Sequence, residues 1–162
     1  MANMGLDFGL DKGQYCKRKN QWLFKIQGVS APILPPKDGA RPNLGFKEME
    51  IRHINEDVYY PMKPDWKTIN LVLYDVKTGS NPVFDWIKKV YDPKNDARWN
   101  PVSVGFLKQP RLELYDGCGN LIESWTFEEA WPSQVNFQNL EMGSNDILLI
   151  EITLRYARAY IN

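Results

Sequence analysis

The residues able to do chemistry are few and scattered. The chain has one histidine, His53, in an alternating stretch where a lone imidazole reads as a structural residue rather than a base or ligand. Its two cysteines, Cys16 and Cys118, lie far apart, and neither belongs to a CxxC or CxxH spacing. They read as reduced thiols, not as a disulfide framework or a zinc set. Carboxylates pair at Glu48 with Glu50 and at Glu128 with Glu129. Glycoside hydrolysis needs two carboxyls about 5–10 Å apart across a cleft, and nothing in the pattern asks for one. No HExxH, GxSxG, P-loop or GxGxxG motif is present. The expectation is a protein that is not an enzyme and uses no cofactor or metal. Six Trp, seven Phe and eight Tyr form no basic–aromatic stripe of the kind that grips single strands; they read as core and interface packing. Trp66, Trp99 and Trp131, at loop edges, are the candidates for an alternative function, a carbohydrate-binding β-sandwich module.

Whatever the function, the elements must come from 162 residues, enough for one domain with its own core. Twenty basic residues balance twenty acidic ones. That balance argues against direct nucleic-acid binding and gives little electrostatic protection against self-association. The first ten residues carry no apolar run, so no signal peptide is read. No stretch approaches the roughly 20 apolar residues of a bilayer span. Folding in a cytoplasm, with no membrane partner, is expected.

Residues 1–20, glycine-rich and then basic at Lys17, Arg18 and Lys19, read as an N-terminal arm. Trp22, Phe24 and Ile26 alternate as a half-buried strand within Gln21 to Gly28. Residues 29–45 hold Pro32, Pro35, Pro36 and Pro42 and read as a long loop, because proline lacks the ladder donor. Phe46 to Ile54 alternates with a slip before Met49, which predicts a bulge, and Val58 to Tyr60 returns as a short strand. Lys67 to Lys77 reads as a strand covered on both faces. Asn81 and Pro82 open a helix with Val83, Trp86, Ile87 and Val90 on one face, stopped by Pro93. Arg111 to Asp116 and Leu121 to Glu128 pair across Gly117-Cys118-Gly119-Asn120. Trp131-Pro132 breaks the chain, and Gln134 to Phe137 is another short strand.

The longest expected strand is Asn145 to Tyr160. Ile150, Ile152, Leu154 and Tyr156 point one way, and Glu151, Thr153, Arg155 and Ala157 the other. Such a strand can bury one face and wet the other. At the end of the chain it would also present an edge that needs a neighbour. The sum is mainly β: an antiparallel two-sheet sandwich or barrel with one flanking α-helix.

The run Ser144-Asn145-Asp146-Ile147, followed by Glu151-Ile152-Thr153-Leu154-Arg155-Tyr156, resembles the closing strand of tail tube proteins from T-even-type contractile bacteriophages. Phe84-Asp85-Trp86 resembles the start of that family's single helix. The hairpin Leu112 to Trp125 resembles the family's hairpin after that helix, and Ala130-Trp131-Pro132-Ser133 resembles its turn before the final strands. The likeness spans roughly Trp66 to Tyr156. It implies a single tube domain over 1–162 whose copies form hexameric rings. The rings stack into the inner tail tube of the virion, assembled in the host cytoplasm. The implied partners are the protein itself, the tail sheath, baseplate tube proteins, and the tape-measure protein and viral DNA in the lumen. A baseplate tube initiator or a contractile injection system tube shares the fold and stands as the alternative. On this reading Arg111, Glu113, Glu151, Thr153 and Arg155 line the lumen. A mixed-sign lining would not retard a polyanion as a basic one would. Lys17, Arg18, Lys19, Pro35, Pro36, Lys37 and Arg41, in segments with little core content, bridge one ring to the next.

Overall fold

The computed structural model describes residues 17, 19, 21–26, 36–75, 82–94, 105–143 and 145–162. Among them are two four-stranded antiparallel sheets, a two-stranded ribbon and one helix. Sheet A takes the order β1-β6-β7-β10, from β1 (Trp22–Lys25), β6 (Arg111–Tyr115), β7 (Leu121–Glu128) and β10 (Arg158–Ile161). Sheet B takes the order β2-β5-β9-β8, from β2 (Asp38–Gly39), β5 (Ile69–Tyr74), β9 (Leu149–Arg155) and β8 (Trp131–Phe137). The ribbon is β3 (Leu44–Arg52) with β4 (Asp57–Trp66).

Period-two apolar residues build the sandwich. On sheet A, Phe24, Leu112 and Phe127 face inward; on sheet B, Leu71, Ile152 and Leu154 do the same, and all six join one core. Fully burying each such side chain contributes about 1.5–3 kcal/mol. Phe127, 0% exposed, meets Phe24 at 6.5 Å between ring centroids and Tyr156 edge-on at 5.1 Å, an arrangement aromatic quadrupoles favour. The helix α1 (Pro82–Val90) forms where its apolar stripe predicts, and Val83 and Trp86 drop into the core. Trp86 would strand its indole N–H there; it donates to the carbonyl of Phe106 at 2.7 Å. Phe84 stacks on Phe137 of β8 at 5.5 Å and 9°, so the helix flanks that end of sheet B. The expected N-cap, Asn81, lies outside the described residues.

The β6–β7 hairpin closes as the glycines require. Asp116 Oδ1 accepts from the backbone N–H of Cys118 at 2.8 Å and of Asn120 at 2.7 Å. Gly119 takes φ 88°, a region open to glycine without strain. The predicted bulge in β3 is present as a register shift between Phe46 and Glu48.

Five expectations are corrected. The run Asn145 to Tyr160 is not one strand: residues 145–148 are irregular, and the chain turns at Tyr156-Ala157. There Ala157 N–H donates to Glu128 O at 3.0 Å, and the chain passes from β9 in sheet B to β10 in sheet A. Nor is β9 an edge, since β5 and β8 flank it. The second half of residues 29–45 is not all loop: Asp38-Gly39 adds β2 to sheet B and Leu44 opens β3. Residues 27–35 lie outside the described residues. Val58 to Tyr60 belongs to a ten-residue strand, β4. Finally, Pro132 sits inside β8 rather than ending it, because β8 is an edge strand and bulges between Pro132 and Gln134.

Candidate assembly surfaces

Sheet B turns most of its apolar residues inside, so its outer face is chiefly polar: Asp38 on β2, Asn70 and Val72 on β5, then Glu151, Thr153 and Arg155, then Gln134 and Asn136. Cross-strand pairing brings them together. Thr153 Oγ1 donates to Asn70 Oδ1 at 3.0 Å, and Asn136 Nδ2 to Glu151 Oε2 at 3.2 Å. Ser133, at the bulge, donates to Thr153 O at 3.0 Å. Glu151 and Arg155 carry opposite charges, and Asp38, opposite Val72 on β2, adds one more acidic group. The surface is largely polar, hydrogen-bonded within itself and slightly acidic.

Arg111 and Glu113 do not join it. They sit on β6 in sheet A, and Glu113 points outward, since Leu112 and Leu114 take the core side. Both sheets bury their inner faces in one core, so the two outer faces lie on opposite sides of the sandwich. The five residues expected to share one lining therefore split three and two. Glu113 is 7% exposed. Burial pushes its carboxyl up, but hydrogen bonds from Lys25 and Tyr115, with the charges of Lys25 and Arg111, outweigh this and hold it below the usual carboxylate range. Lys25 Nζ lies 2.6 Å from the carboxylate, and the hydrogen bond to Glu113 raises the ammonium above its ordinary value.

Four of the seven basic and proline positions expected to bridge rings do come together. Lys17, Lys19, Lys37 and Arg41 line a cleft of about 670 Å³, with Trp22, Leu112 and Leu114 among its apolar walls. It opens where β1 and β2 are the edge strands of their sheets. Two of the cations are engaged. Glu123 lies opposite Leu114 on the inward side of β7, and it takes an ion pair from Lys17 and a second from Arg41 Nε at 3.4 Å. Trp125 Nε1 also donates to it at 2.6 Å. Burial raises the Glu123 carboxyl; the hydrogen bonds from Lys17 and Trp125 and the charges of Arg41 and Lys17 more than offset that and hold it low. Pro36 is buried. Arg18 and Pro35 lie outside the described residues.

The ribbon is the surface that sequence reasoning missed. Among the described residues its two strands pack on each other and on no other strand or helix to any comparable extent. Past the bulge, Met49 pairs with Tyr60 and Ile51 with Val58, so one face of the ribbon is apolar; Glu48, Glu50 and Arg52 share the other with Tyr59 and Asp57. Met49, Ile51 and Tyr60 are exposed, and Ile54 at the tip is fully so. Pro61 and Pro64 in β4 are the signal that could have revealed it, since proline sits in strands whose donors face solvent.

The carbohydrate alternative loses its platform. Trp66 turns inward on Tyr156 at 5.9 Å, Trp131 stands half-buried opposite Arg155, and Trp99 lies outside the described residues. His53 sits in the exposed ribbon turn, its N–H donating to Glu56 O at 3.0 Å. Among the described residues no cluster of three metal-ligating side chains forms, and no helix is long and apolar enough to cross a membrane.

Comparison with known proteins agrees with this architecture. No curated protein matches the sequence. Among solved structures, the chain is similar to one in the tube-terminating cap of the anti-feeding prophage, at 18% identity and a TM-score of 0.75, covering 96% of this chain and 97% of that one. It is similar to one in the extended PVC sheath–tube complex of an extracellular contractile injection system, at 19% identity and a TM-score of 0.72, covering 93% of each. A chain of the six-fold symmetrised anti-feeding prophage baseplate aligns at 13% identity and a TM-score of 0.71, over 92% of this chain and 97% of that one. These likenesses establish the fold. The sequence itself matches the T4-like virus tail tube protein gp19 family over residues 42–159, most of its length, and the chain belongs to that family.

Proposed function

We propose that this chain is the structural subunit of a contractile tail's inner tube, a single tube domain over residues 1–162 with no catalytic role. Copies join edge to edge into hexameric rings, and rings stack into a hollow tube in the virion, assembled in the host cytoplasm. The sandwich suits ring closure. Within the described residues, β8 is one open edge of sheet B, and two-residue β2 leaves most of β5 unpaired at the other. One copy's β8 side can meet the next copy's β2–β5 side, a heterologous contact that closes when the rotation fits. The six-fold symmetry of the anti-feeding prophage baseplate supports six copies.

The outer face of sheet B, with Glu151, Thr153 and Arg155, lines the lumen. Its slightly acidic, internally hydrogen-bonded surface makes it a poor trap for a passing polyanion, so viral DNA and the tape-measure protein move through without retention. Arg111 and Glu113, on the opposite side, face away from the lumen toward the sheath, which the PVC sheath–tube complex supports as a partner. Baseplate tube proteins meet the first ring.

The observation that carries the reading is the β3–β4 ribbon. Nine- and ten-residue strands reach about 30 Å at about 3.3 Å per residue, with an apolar face that the sandwich does not cover. In a tail tube family member, the next ring is the surface that covers it. Electron microscopy of the purified full chain tests the proposal. Hollow tubes of stacked six-membered rings are expected; persistent monomers at high concentration would sink it. A second reading, an end ring such as a baseplate initiator or cap, draws on the likeness to the tube-terminating cap. It predicts single rings that never stack.

A further inference from the structure

The tip of the ribbon and the basic cleft are complementary in both polarity and charge. At the tip, Ile54 stands fully exposed; Glu56 follows in the turn and Asp57 opens β4 opposite Arg52, both carboxylates exposed. The cleft inverts that pattern: Trp22, Leu112 and Leu114 give it apolar walls, and Lys17, Lys19, Lys37 and Arg41 outnumber the one acidic lining residue, Asp38. An isolated chain gains nothing by holding a leucine-sized side chain in water beside two carboxylates, and the Glu123 pairs account for Lys17 and Arg41 but not for Lys19 and Lys37 beside the same apolar hollow.

We propose that the cleft is the receptor for the ribbon tip of a second copy, with Ile54 entering between Trp22 and the β6 leucines and Glu56 and Asp57 meeting Lys19 and Lys37. This inference rests on the stacked-ring reading and names the contact that joins one ring to the next. Lys17 and Arg41 are already held by Glu123; they shape the cleft, and Lys19 and Lys37, both exposed, receive the acidic tip. The ribbon's reach takes the tip well clear of its own sandwich, so a separate copy is the partner. The contact is heterologous, tip to cleft, and leaves a free tip at one end and a free cleft at the other. Such a contact propagates rather than closing on itself. It also gives the neutral chain an attraction between copies, because the tip carries two carboxylates and the cleft more cations than acids.

Charge reversal in the full chain tests it. E56K/D57K and K19E/K37E each alter only exposed side chains, so each should fold and form rings while mean tube length falls roughly tenfold or more, because six weakened contacts act together at each ring joint. The four-residue variant carrying both reversals should recover tubes. Ile54→Asp should shorten tubes as severely, with no recovery in the four-residue background. Tubes of normal length in either two-residue variant overturn the pairing. So does a four-residue variant no better than its parents, which would mean that the cleft holds a different acidic partner. Wild-type protein that makes no stack at all sinks the tube reading as well, whereas normal wild-type tubes with unaffected variants sink only this contact.

Discussion

The Trp66 indole lies 5.9 Å from the Tyr156 ring at an angle of 54°, and this contact ties the base of the ribbon to the corner where the chain crosses between sheets. Tyr156 in turn packs edge-on against Phe127 in the core. The ribbon's last residue is thus anchored to the sandwich, while its tip is free.

That corner makes stability depend on high pH. Burial raises the Tyr156 phenol above its ordinary value of 10.0, and among the described residues its buried hydroxyl finds no hydrogen-bond partner. A raised folded-state value means the native state holds the proton more tightly than the unfolded chain does. The resulting stability is fully present below about pH 10 and is lost as pH rises through the folded value. Thermal melts from pH 8 to 11 should show a falling midpoint that is shallower in Tyr156→Phe. Equal slopes in both proteins would refute the assignment.

Glu123 gives the opposite dependence. Its folded value lies below the ordinary 4.5, so its contribution is present above that value and is lost as pH falls through the folded one. Glu123→Gln removes the charge that Lys17 and Arg41 share, and it should cost about 1–2 kcal/mol at neutral pH. Urea melts at pH 7 and pH 3 check this: the difference between variant and wild type should shrink at the lower pH. A constant difference would mean that shape rather than charge is at work.

Periodicity encodes local pattern, and that sets how much of the fold was legible in the sequence. The helix stripe of Val83 and Trp86 and the Gly-Cys-Gly-Asn hairpin are local patterns, and both stand where they were read. The polar face of β9 was legible for the same reason. Which sheet a strand joins is not local, so Arg111 and Glu113 were grouped with residues that lie on the far side of the core. The corner at Tyr156-Ala157 did leave a trace. Buried Tyr156 and Ala159 are three apart, a parity break that one continuous strand would not carry. The ribbon left less, since alternation looks the same whether the apolar face meets a core, a partner or water. The pairing of Lys17 and Arg41 with Glu123 had no sequence signal, because it joins segments far apart in the chain.

Gly39 is a tight spot in sheet B. A Cβ there would stand 2.3 Å from Trp22 Cη2 and 2.8 Å from Leu71 Cδ2, distances that real contacts do not reach. Gly39→Ala must move the Trp22 ring or part β2 from β5. The expected cost is about 1–3 kcal/mol, read as a lower denaturant midpoint with an unchanged slope. Because Trp22 also walls the cleft, its fluorescence should shift in the folded variant. A midpoint equal to that of wild type would show that the two edges are not pressed together.

The apolar face of the ribbon separates folding from assembly. Met49 and Tyr60 pair across the ribbon and are exposed in the single chain, so replacing both by Ser removes little that the fold itself buries. The thermal midpoint of unassembled protein should change little, by about 0.5 kcal/mol or less in stability. Stacking should suffer far more, because the proposed tube desolvates that face against the next ring, where each large apolar side chain would contribute about 1.5–3 kcal/mol. Light scattering during assembly and microscopy of the product measure the second effect, and calorimetry the first. M49S/Y60S chains that melt normally yet remain as rings are the expected outcome. Full-length tubes from those chains would show that the face stays wet in the assembly. A large loss of thermal stability would show instead that it packs within its own chain.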